Sequence, residues 1–344
     1  MSDPPAKQVA ITPIRRSGWQ RAQFCLCVAR HVVASTIWCL VACGVGLRVT
    51  IRDRASPGAL VYYMTPIPAM AVWMIIAAVV SGRMLFWRRS ARSTRPWFRW
   101  SQSRLSLLAA LVFAGWTVYS ECDFRPRPTS SGDKRVVFWN VARVVRGIDR
   151  IGARLRDLDA VVVGLVEADE QYRIHLDHWQ QQLPGYEIAQ TVFGSLIAVK
   201  GTVVSHQIHD LSIHSYCEEF QVRVDGIEFS VLLVDIASDL HRSRRRPLQA
   251  LADLAERLSD RPVIIMGDFN TPDDSVWFEP LRQQHQQAFR HRGSGYAATW
   301  PVPFPVLAID QMWTNGKVHV SRCQNEWTSL SDHRPIICHL SIEP

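Results

Sequence analysis

Polar residues suited to holding water, a cation or a phosphate oxygen follow a short apolar stretch at residues 263–266. The sequence continues there as Gly267-Asp268-Phe269-Asn270. The apolar stretch is rich in Val and Ile and follows Pro262, which predicts a buried strand, and the glycine predicts a turn at its end. A carboxylate can accept a proton from water or bind a cation, and an amide can donate to a phosphate oxygen.

Four other apolar stretches of the C-terminal half each end in, or run beside, a polar residue. They are Val136-Val137-Phe138-Trp139-Asn140, residues 161–166 before Glu167, Ile309-Asp310-Gln311-Met312-Trp313, and Ser331-Asp332-His333-Arg334-Pro335 before residues 336–342. Each motif alone is typical of an ordinary strand end. In this order, the five motifs resemble the endonuclease/exonuclease/phosphatase superfamily of metal-dependent phosphoesterases over residues 135–344.

The resemblance implies a divalent metal site, for Mg²⁺ or Mn²⁺. Glu167 would be the main ligand and Asn140 would lie beside it, while Asp332 would assist the metal or its waters. A hard cation of this kind is held by one or two carboxylates together with waters and the substrate.

The resemblance also implies four catalytic residues. Asp268 would accept the proton of the attacking water or hold that water in line, and Asn270 would hold the water or a phosphate oxygen. His333 would stabilise charge on the phosphoryl oxygen. Asp310 would orient His333, because an imidazole presents one nitrogen reliably only when the other is fixed.

One position departs from the family pattern. Many members carry a histidine where this chain has Ala237, and His241 lies four residues further on. The same segment holds a dense basic cluster, Arg242, Arg244, Arg245 and Arg246. Two interpretations remain open for this cluster: a solvated helix start, or an anion clamp at the mouth of the site.

The charge of the chain is unevenly placed. Residues 1–120 carry 15 basic and 2 acidic residues, and the remainder carries 24 basic and 29 acidic residues, so the two parts have net charges of +13 and −5. The acidic balance of the C-terminal part is unfavourable for a protein that binds nucleic acid through its phosphate backbone.

The N-terminal third predicts a membrane anchor. Residues 1–31 are polar and basic, and residues 32–120 contain three apolar segments, 32–47, 59–80 and 105–120, which predict three transmembrane helices. Five basic residues precede the first segment, three lie in the first loop and seven lie in the second. The positive-inside rule then places the N-terminus and the second loop in the cytoplasm and the C-terminal domain outside.

Two alternatives to an anchor are weaker. Leu40-Val41-Ala42-Cys43 resembles a lipoprotein cleavage site, but the basic leader is long for a signal peptide and two more apolar segments follow. A transporter would be expected to carry ionisable residues within its spans, and the three segments contain no Asp, Glu, Lys or Arg.

Residues 121–134 contain prolines, serines and a glycine and predict a linker, and residues 135–344 form the predicted catalytic domain. Helices are predicted at residues 148–158 and 170–183 and after Pro247. Hairpins are predicted at Asp225-Gly226 and at Asn315-Gly316. Strands that alternate with helices early and pair as hairpins later suit the family's α/β fold, a four-layer α/β/β/α sandwich of two mixed sheets.

The sequence therefore predicts an inner-membrane, multi-pass phosphoesterase with an extracytoplasmic catalytic domain. Its expected partners are the membrane and a phosphorylated lipid or another phosphoester substrate of the cell envelope, since the layout resembles anchored bacterial members of the teicoplanin-resistance type. Two alternatives remain: a nuclease that acts on external nucleic acid, and a catalytically silent domain that binds a phosphorylated ligand.

Overall fold

The computed structural model describes residues 18–82, 96–170, 175–191 and 193–343. The basic residues Lys7, Arg15 and Arg16 and most of the predicted second loop lie outside this range. Four helices occupy the N-terminal third. They are α1 (Gly18–Val49), α2 (Ser56–Met64), α3 (Ile67–Gly82) and α4 (Pro96–Glu121).

Two of these helices, over Ala22–Val49 and Gln102–Glu121, are long and apolar enough to cross a membrane, and a third crossing exists if the bent pair α2 and α3 counts as one span. The predicted second span, residues 59–80, is broken by a bend of 75°. The break falls at Thr65-Pro66, because proline lacks an N–H group and disfavours helical geometry in the residue before it. Helix α1 begins within the predicted polar N-terminal segment.

The C-terminal part contains two packed sheets. The eight-stranded sheet has the order β1-β11-β13-β14-β2-β3-β5-β4, and the six-stranded sheet has the order β10-β12-β9-β8-β7-β6. The strands are β1 (Cys122–Asp123), β2 (Lys134–Asn140), β3 (Val162–Val166), β4 (Glu187–Gln190), β5 (Leu196–Val199), β6 (Thr202–Ser212), β7 (Ser215–Val224), β8 (Ile227–Asp235), β9 (Val263–Asp268), β10 (Gln286–Gln287), β11 (Gly293–Tyr296), β12 (Asp310–Thr314), β13 (Val318–Asn325) and β14 (Ile336–Ile342).

Helices cover both outer faces of this pair of sheets. Helices α5 (Ile148–Leu158) and α6 (Leu176–Gln182) pack on the eight-stranded sheet, and α7 (Arg245–Arg257) packs on the six-stranded sheet. Two short helices follow: α8 (Glu279–Arg282) packs beside α7, and α9 (Ala288–Arg292) contributes Ala288 and Phe289 to the core between the sheets. A separate apolar core fills the space between the sheets. The predicted four-layer α/β/β/α sandwich is therefore confirmed.

Three local predictions differ from the structure. The hairpin predicted at Asn315-Gly316 is wrong, because β12 belongs to the six-stranded sheet and β13 to the eight-stranded sheet, so this turn crosses between layers. The helix predicted at residues 170–183 begins only at Leu176, and residues 171–174 lie outside the described range. The predicted linker starts with a strand, since Cys122 pairs with Tyr296 directly after α4 ends.

Candidate active site

Three aspartates lie side by side on neighbouring strands of the six-stranded sheet. Asp268 is the last residue of β9, and it is in register with Asp235 of β8 on one side and with Asp310 of β12 on the other. Residues in register on adjacent strands point to the same face of a sheet. Asp268 and Asp310 are each only 2% exposed. Asp235 was not predicted from the sequence as a site residue.

The turn after β9 is held by its own side chains. A Cβ atom at Gly267 would lie 2.1 Å from the carbonyl oxygen of Val234, so only glycine fits against β8 at this point. Asn270 has a left-handed φ of 45°. Its backbone N–H donates to Asp268 Oδ1 at 2.9 Å, and its Nδ2 donates to the carbonyl of Ile236 at 2.8 Å. Asn270 therefore fixes the turn through its own amide.

The eight-stranded sheet brings Asn140 and Glu167 to the same place. Strands β2 and β3 are parallel, so Asn140 at the end of one and Glu167 just beyond the other meet at one edge. Asn140 Nδ2 donates to Glu167 Oε1 at 3.3 Å and to Asp268 Oδ2 at 3.0 Å, while its Oδ1 accepts from the N–H of Ala142 at 2.9 Å. Asn140 thus links carboxylates from the two sheets.

Glu167 occupies the open side of the site. Its side chain is 33% exposed, and its backbone φ of 52° lies in the left-handed region, which a non-glycine residue keeps only when its surroundings hold it there. Arg143 Nε lies 3.8 Å from Glu167 Oε2, and Arg143 Nη1 lies 3.3 Å from Asp169 Oδ2. Arg143 was not predicted from the sequence as a site residue.

His333 and Asp310 form the predicted pair. His333 Nδ1 lies 2.8 Å from Asp310 Oδ2, and His333 Nε2 lies 4.0 Å from Asp268 Oδ2. Burial disfavours the charged imidazole, but the carboxylates of Asp310 and Asp268 outweigh burial and raise the pKa of His333 to about 10. His333 is therefore an imidazolium at neutral pH in this arrangement.

Ser331 and Trp139 position the segment that carries His333. Ser331 Oγ donates to the carbonyl of Asn140 at 2.8 Å and accepts from the N–H of His333 at 3.0 Å. Trp139 Nε1 donates to the carbonyl of His333 at 2.9 Å. The motif around His333 contains Ser331 but does not indicate a role for it, and in the structure its hydroxyl links Asn140 to His333.

The carboxyl groups of Asp268 and Asp235, which flank each other on neighbouring strands, are harder to ionise than those of ordinary aspartates. Burial raises the pKa of Asp268 well above its usual value, and the neighbouring carboxylate of Asp310 adds to this effect. Burial, together with the charge of Glu167, raises the pKa of Asp235 to about 7. Several acids packed together in this way favour the binding of a cation, which would compensate their mutual repulsion.

The residues that could share one metal ion differ from the predicted set. Asp268, Asp310 and His333 each offer a ligand atom, and these atoms all lie within 4.8 Å of one another. The predicted assistant, Asp332, is exposed, and its carboxylate accepts a hydrogen bond from Trp300 Nε1. Asn140 presents its amide nitrogen to the carboxylates rather than its oxygen, so its contacts here are those of a positioning residue.

The four arginines of the predicted anion clamp do not converge. Arg242 pairs with Asp239, Arg245 lies over the ring of Trp277, and Arg246 is exposed. Arg244 alone reaches the site: it is 2% exposed, and its Nε donates to the carbonyl of Asn270 at 3.2 Å.

At the position that lacks the family histidine, Ala237 and His241 make hydrogen bonds through their backbone N–H groups. The N–H of Ala237 donates to Ser215 Oγ at 3.1 Å. His241 is exposed, and its N–H donates to Asp239 Oδ1, which closes a local turn. His241 therefore does not replace the missing imidazole.

The chain was compared with known proteins. The model of a family described as the Endonuclease/Exonuclease/phosphatase family matches residues 137–333. Among curated proteins, none matches. A family protein from Bacteroides thetaiotaomicron has a TM-score of 0.51 at 15% identity, covering 62% of this chain and 98% of its own. A protein of the same description from Bacteroides vulgatus has a TM-score of 0.50 at 17% identity, with coverages of 62% and 100%.

A third solved structure is a humanized D. rerio TDP2, with a TM-score of 0.50 at 16% identity, covering 61% of this chain and 100% of its own. At these identities the three structures establish the shared fold.

Proposed function

The chain belongs to the endonuclease/exonuclease/phosphatase family and is a hydrolase of phosphoester bonds, and we propose that it is a membrane-anchored, metal-dependent enzyme acting on phosphate esters of membrane or cell-envelope lipids. One observation carries the proposal. The loop that follows Asp268 and Asn270 is packed against the ends of the apolar helices, so the catalytic residues lie next to the predicted membrane surface.

The contacts of this loop are specific. Asp274 pairs with Arg48 near the end of α1, and its carbonyl accepts from Tyr62 of α2 at 3.4 Å. Arg290 joins Asp273 to Glu121 at the end of α4. Because Cys122 already belongs to the sheet, no linker residue separates α4 from the catalytic domain. Lipid headgroups are locally concentrated next to a membrane surface, whereas the local concentration of a long soluble polymer is not raised there.

The course of the helices supports an extracytoplasmic catalytic domain. Helices α1 and α4 both end at the catalytic domain, and α3 returns between them, with Ser103 near the start of α4 donating to the carbonyl of Ala78 near the end of α3. The start of α1, the end of α3 and the start of α4 then lie at the opposite end. The twelve basic residues of the N-terminal segment and of the second loop favour the cytoplasm for that end, while Arg48 and Arg52 at the other end contact Asp274.

A hard divalent cation such as Mg²⁺ or Mn²⁺ fits the donor set, which is dominated by carboxylate oxygens. We assign the cation to Glu167, which faces the open side, with Asp268 next to it through Asn140. In this proposal His333 is not a ligand, because its Nδ1 contacts Asp310 and its Nε2 is left for the substrate. When bound, the cation would neutralise charge on the phosphate group.

The remaining residues have distinct tasks in this proposal. Asp268 holds the attacking water and accepts its proton, and Asn270 fixes the turn that carries this water. The imidazolium of His333 donates from Nε2 to a phosphoryl oxygen as negative charge develops there. Asp310 keeps Nδ1 of the imidazole engaged, so Nε2 remains directed toward the substrate.

The test is competition between substrate classes on the purified, detergent-solubilised protein with Mg²⁺ or Mn²⁺. We expect release of phosphate or headgroup from isoprenoid or phospholipid phosphates, and little cleavage of DNA or RNA. Efficient cleavage of nucleic acid, with no release from any lipid phosphate, would instead support the extracytoplasmic nuclease. Absence of turnover on all substrates, with retained binding of a phosphate ester, would support the silent binding domain.

A further inference from the structure

The loop between α1 and α2 is built into the catalytic domain through one acidic residue. Asp53 lies in this loop, residues 50–55, and it is the single acidic residue between Asp3 and Glu121. It faces the loop that follows β9, residues 269–275, which is called the β9 loop below. Asp53 is 2% exposed, although its own loop lies at the edge of the molecule.

The side chain of Asp53 is held by three donors. Asp53 Oδ2 accepts from the hydroxyls of Tyr63 at 3.1 Å and of Ser275, and Asp53 Oδ1 accepts from the N–H of Val276 at 3.1 Å. The backbone carbonyl of Asp53 accepts from Trp277 Nε1 at 3.2 Å. Ser275 and Val276 therefore bind the carboxylate of Asp53, and Trp277 binds its backbone carbonyl.

Ion pairs of Asp53 are absent from the described part of the chain, so neutral donors hold its carboxylate. A buried carboxylate is costly unless hydrogen bonds replace its hydration. Its stability here depends on Ser275 and Val276 staying in place. Conversely, the hydrogen bonds from Ser275 and Val276 to Asp53 hold the end of the β9 loop in one position.

Neighbouring contacts fix the rest of the same loop. Asp274 pairs with Arg48, and its carbonyl accepts from Arg52 Nη1 at 3.3 Å. Asp273 pairs with Arg290, which also binds Glu121 at the end of α4. Three consecutive residues of the β9 loop are thus each held from the membrane side, directly or through Arg290.

The β9 loop begins at the catalytic turn. Asn270 keeps a left-handed φ of 45°, a backbone state that costs free energy and persists only when its surroundings fix it. Four residues separate Asn270 from Ser275. Directly after the turn, the carbonyl of Thr271 accepts from Gln311 Nε2 at 3.0 Å. Release of Ser275 would therefore remove one of the contacts that hold the loop after the turn.

We propose that the α1–α2 loop is a positioning element of the active site, with Asp53 as its positioning residue. It holds the β9 loop, and through that loop Asn270, in the geometry that hydrolysis requires. The membrane helices then do more than tether the domain: turnover depends on their docking. The proposal rests on the hydrolase assignment and on no particular substrate.

The first experiment measures turnover of a small soluble phosphodiester, bis(p-nitrophenyl) phosphate, by the full chain in detergent with Mg²⁺ or Mn²⁺. Asp53→Ala should lower kcat about 10- to 100-fold, as misplacement of a catalytic group by about 1 Å can do, with KM changed less than about twofold on the same reasoning. Arg54→Ala, which removes an exposed side chain of the same loop, is the matched control and should leave kcat unchanged.

A double-mutant cycle separates positioning from general structural damage. If Asp53 acts through Asn270, Asp53→Ala should cost little further in an Asn270→Ala background, because residues that act as one unit are not additive. The same fold-loss in both backgrounds would overturn the proposal. If Asp53→Ala does not fold, Asp53→Asn keeps the shape of the side chain without its charge, and Trp277→Phe removes the indole N–H donor. Unchanged kcat in both would also overturn the proposal.

Hydrogen exchange gives a readout that needs no substrate. In Asp53→Ala, amides of residues 269–276 should exchange faster, while those of β2 and β3 should keep the wild-type rate. Unchanged exchange in residues 269–276 would contradict the proposal whatever the enzyme's substrate proves to be. Faster exchange with unchanged kcat would show that the loop is held by Asp53 but that catalysis does not depend on it, which also overturns the positioning role.

Discussion

The part of the active site formed by Asp268, Asp310 and His333 is closed to solvent, whereas the part around Glu167 is open on one side. Asp268 and Asp310 are almost fully buried, and Glu167 keeps a third of its side chain exposed beside Arg143. A buried row of acids is rigid and controls proton position, while an exposed carboxylate can exchange water for a cation and a substrate. We therefore expect the two parts to respond differently to mutation.

The largest effect is expected in the buried part. His333→Ala and Asp310→Ala should each lower kcat about 100- to 1,000-fold, because each removes the fixed imidazolium that faces the phosphoryl oxygen. The double variant should be little worse than either single one, since the two side chains form one hydrogen-bonded unit. Steady-state kinetics on a phosphodiester dye measure this, and additive losses would show that the residues work separately.

Glu167→Gln tests the open part. The substitution keeps the shape of the side chain and removes its charge, so we expect a loss of at least ~100-fold at limiting Mg²⁺. More metal should be needed for half-maximal activity, and a metal titration at fixed substrate measures this requirement. Asp332→Asn is the matched control, because Asp332 is exposed and bonded to Trp300. Near wild-type turnover with unchanged Mg²⁺ dependence in Glu167→Gln would remove Glu167 as the ligand.

Asp235→Asn should have a smaller effect, about tenfold on kcat, because the residue borders Asp268 and Glu167 without belonging to the His333 pair. The expected loss comes from a changed charge beside the metal-binding carboxylate. Glu219→Gln on the adjacent strand, where Glu219 bonds to His209, is a suitable control for loss of a carboxylate away from the site. Equal losses of kcat for Asp235→Asn and Asp310→Ala would contradict the expectation that Asp235 matters less than Asp310.

The smallest expected effect concerns stability rather than catalysis. It comes from His285, a buried histidine outside the active site, so it is distinct from titration of the catalytic residues. Burial lowers the pKa of His285 to about 4, below about 6.5 in the unfolded chain. The unfolded state therefore binds more protons between these values, and stability contributed by the neutral imidazole falls as pH drops through this range. His285→Phe should lose less stability between pH 7 and pH 5 than the wild type, as measured by thermal unfolding. Equal losses would exclude His285 as a source of acid sensitivity.

Much of the catalytic domain follows from local sequence. The strand ending at Asp268, the hairpin at Asp225-Gly226 and the helix over residues 148–158 all form as predicted. Their signals are local: apolar runs, strict alternation and helical spacing. His333 Nδ1 lies against Asp310, and the catalytic role expected for this pair came from the resemblance of the motifs to the family rather than from local pattern.

Other features depended on which elements become neighbours. Asp235 becomes a site residue only because parallel pairing sets it in register with Asp268. The turn at Asn315-Gly316 has the residues of a hairpin, yet its two strands join different sheets. The four clustered arginines share a segment but point in separate directions, and only Arg244 reaches Asn270. Sheet register and strand order are long-range properties that no local pattern contains.

By itself, the sequence determined the types of residue at the strand ends, the apolar segments and the uneven charge, because these depend on composition and short-range spacing. Only the tertiary structure decided how the apolar N-terminal helices meet the catalytic domain. Pro66 breaks the predicted second span, and the segment before the break docks on the β9 loop through Tyr62 and Asp53. Asp53 is conspicuous in the sequence as an isolated acid, but its role arises from donors more than 220 residues away, brought to it by the folding of both parts together.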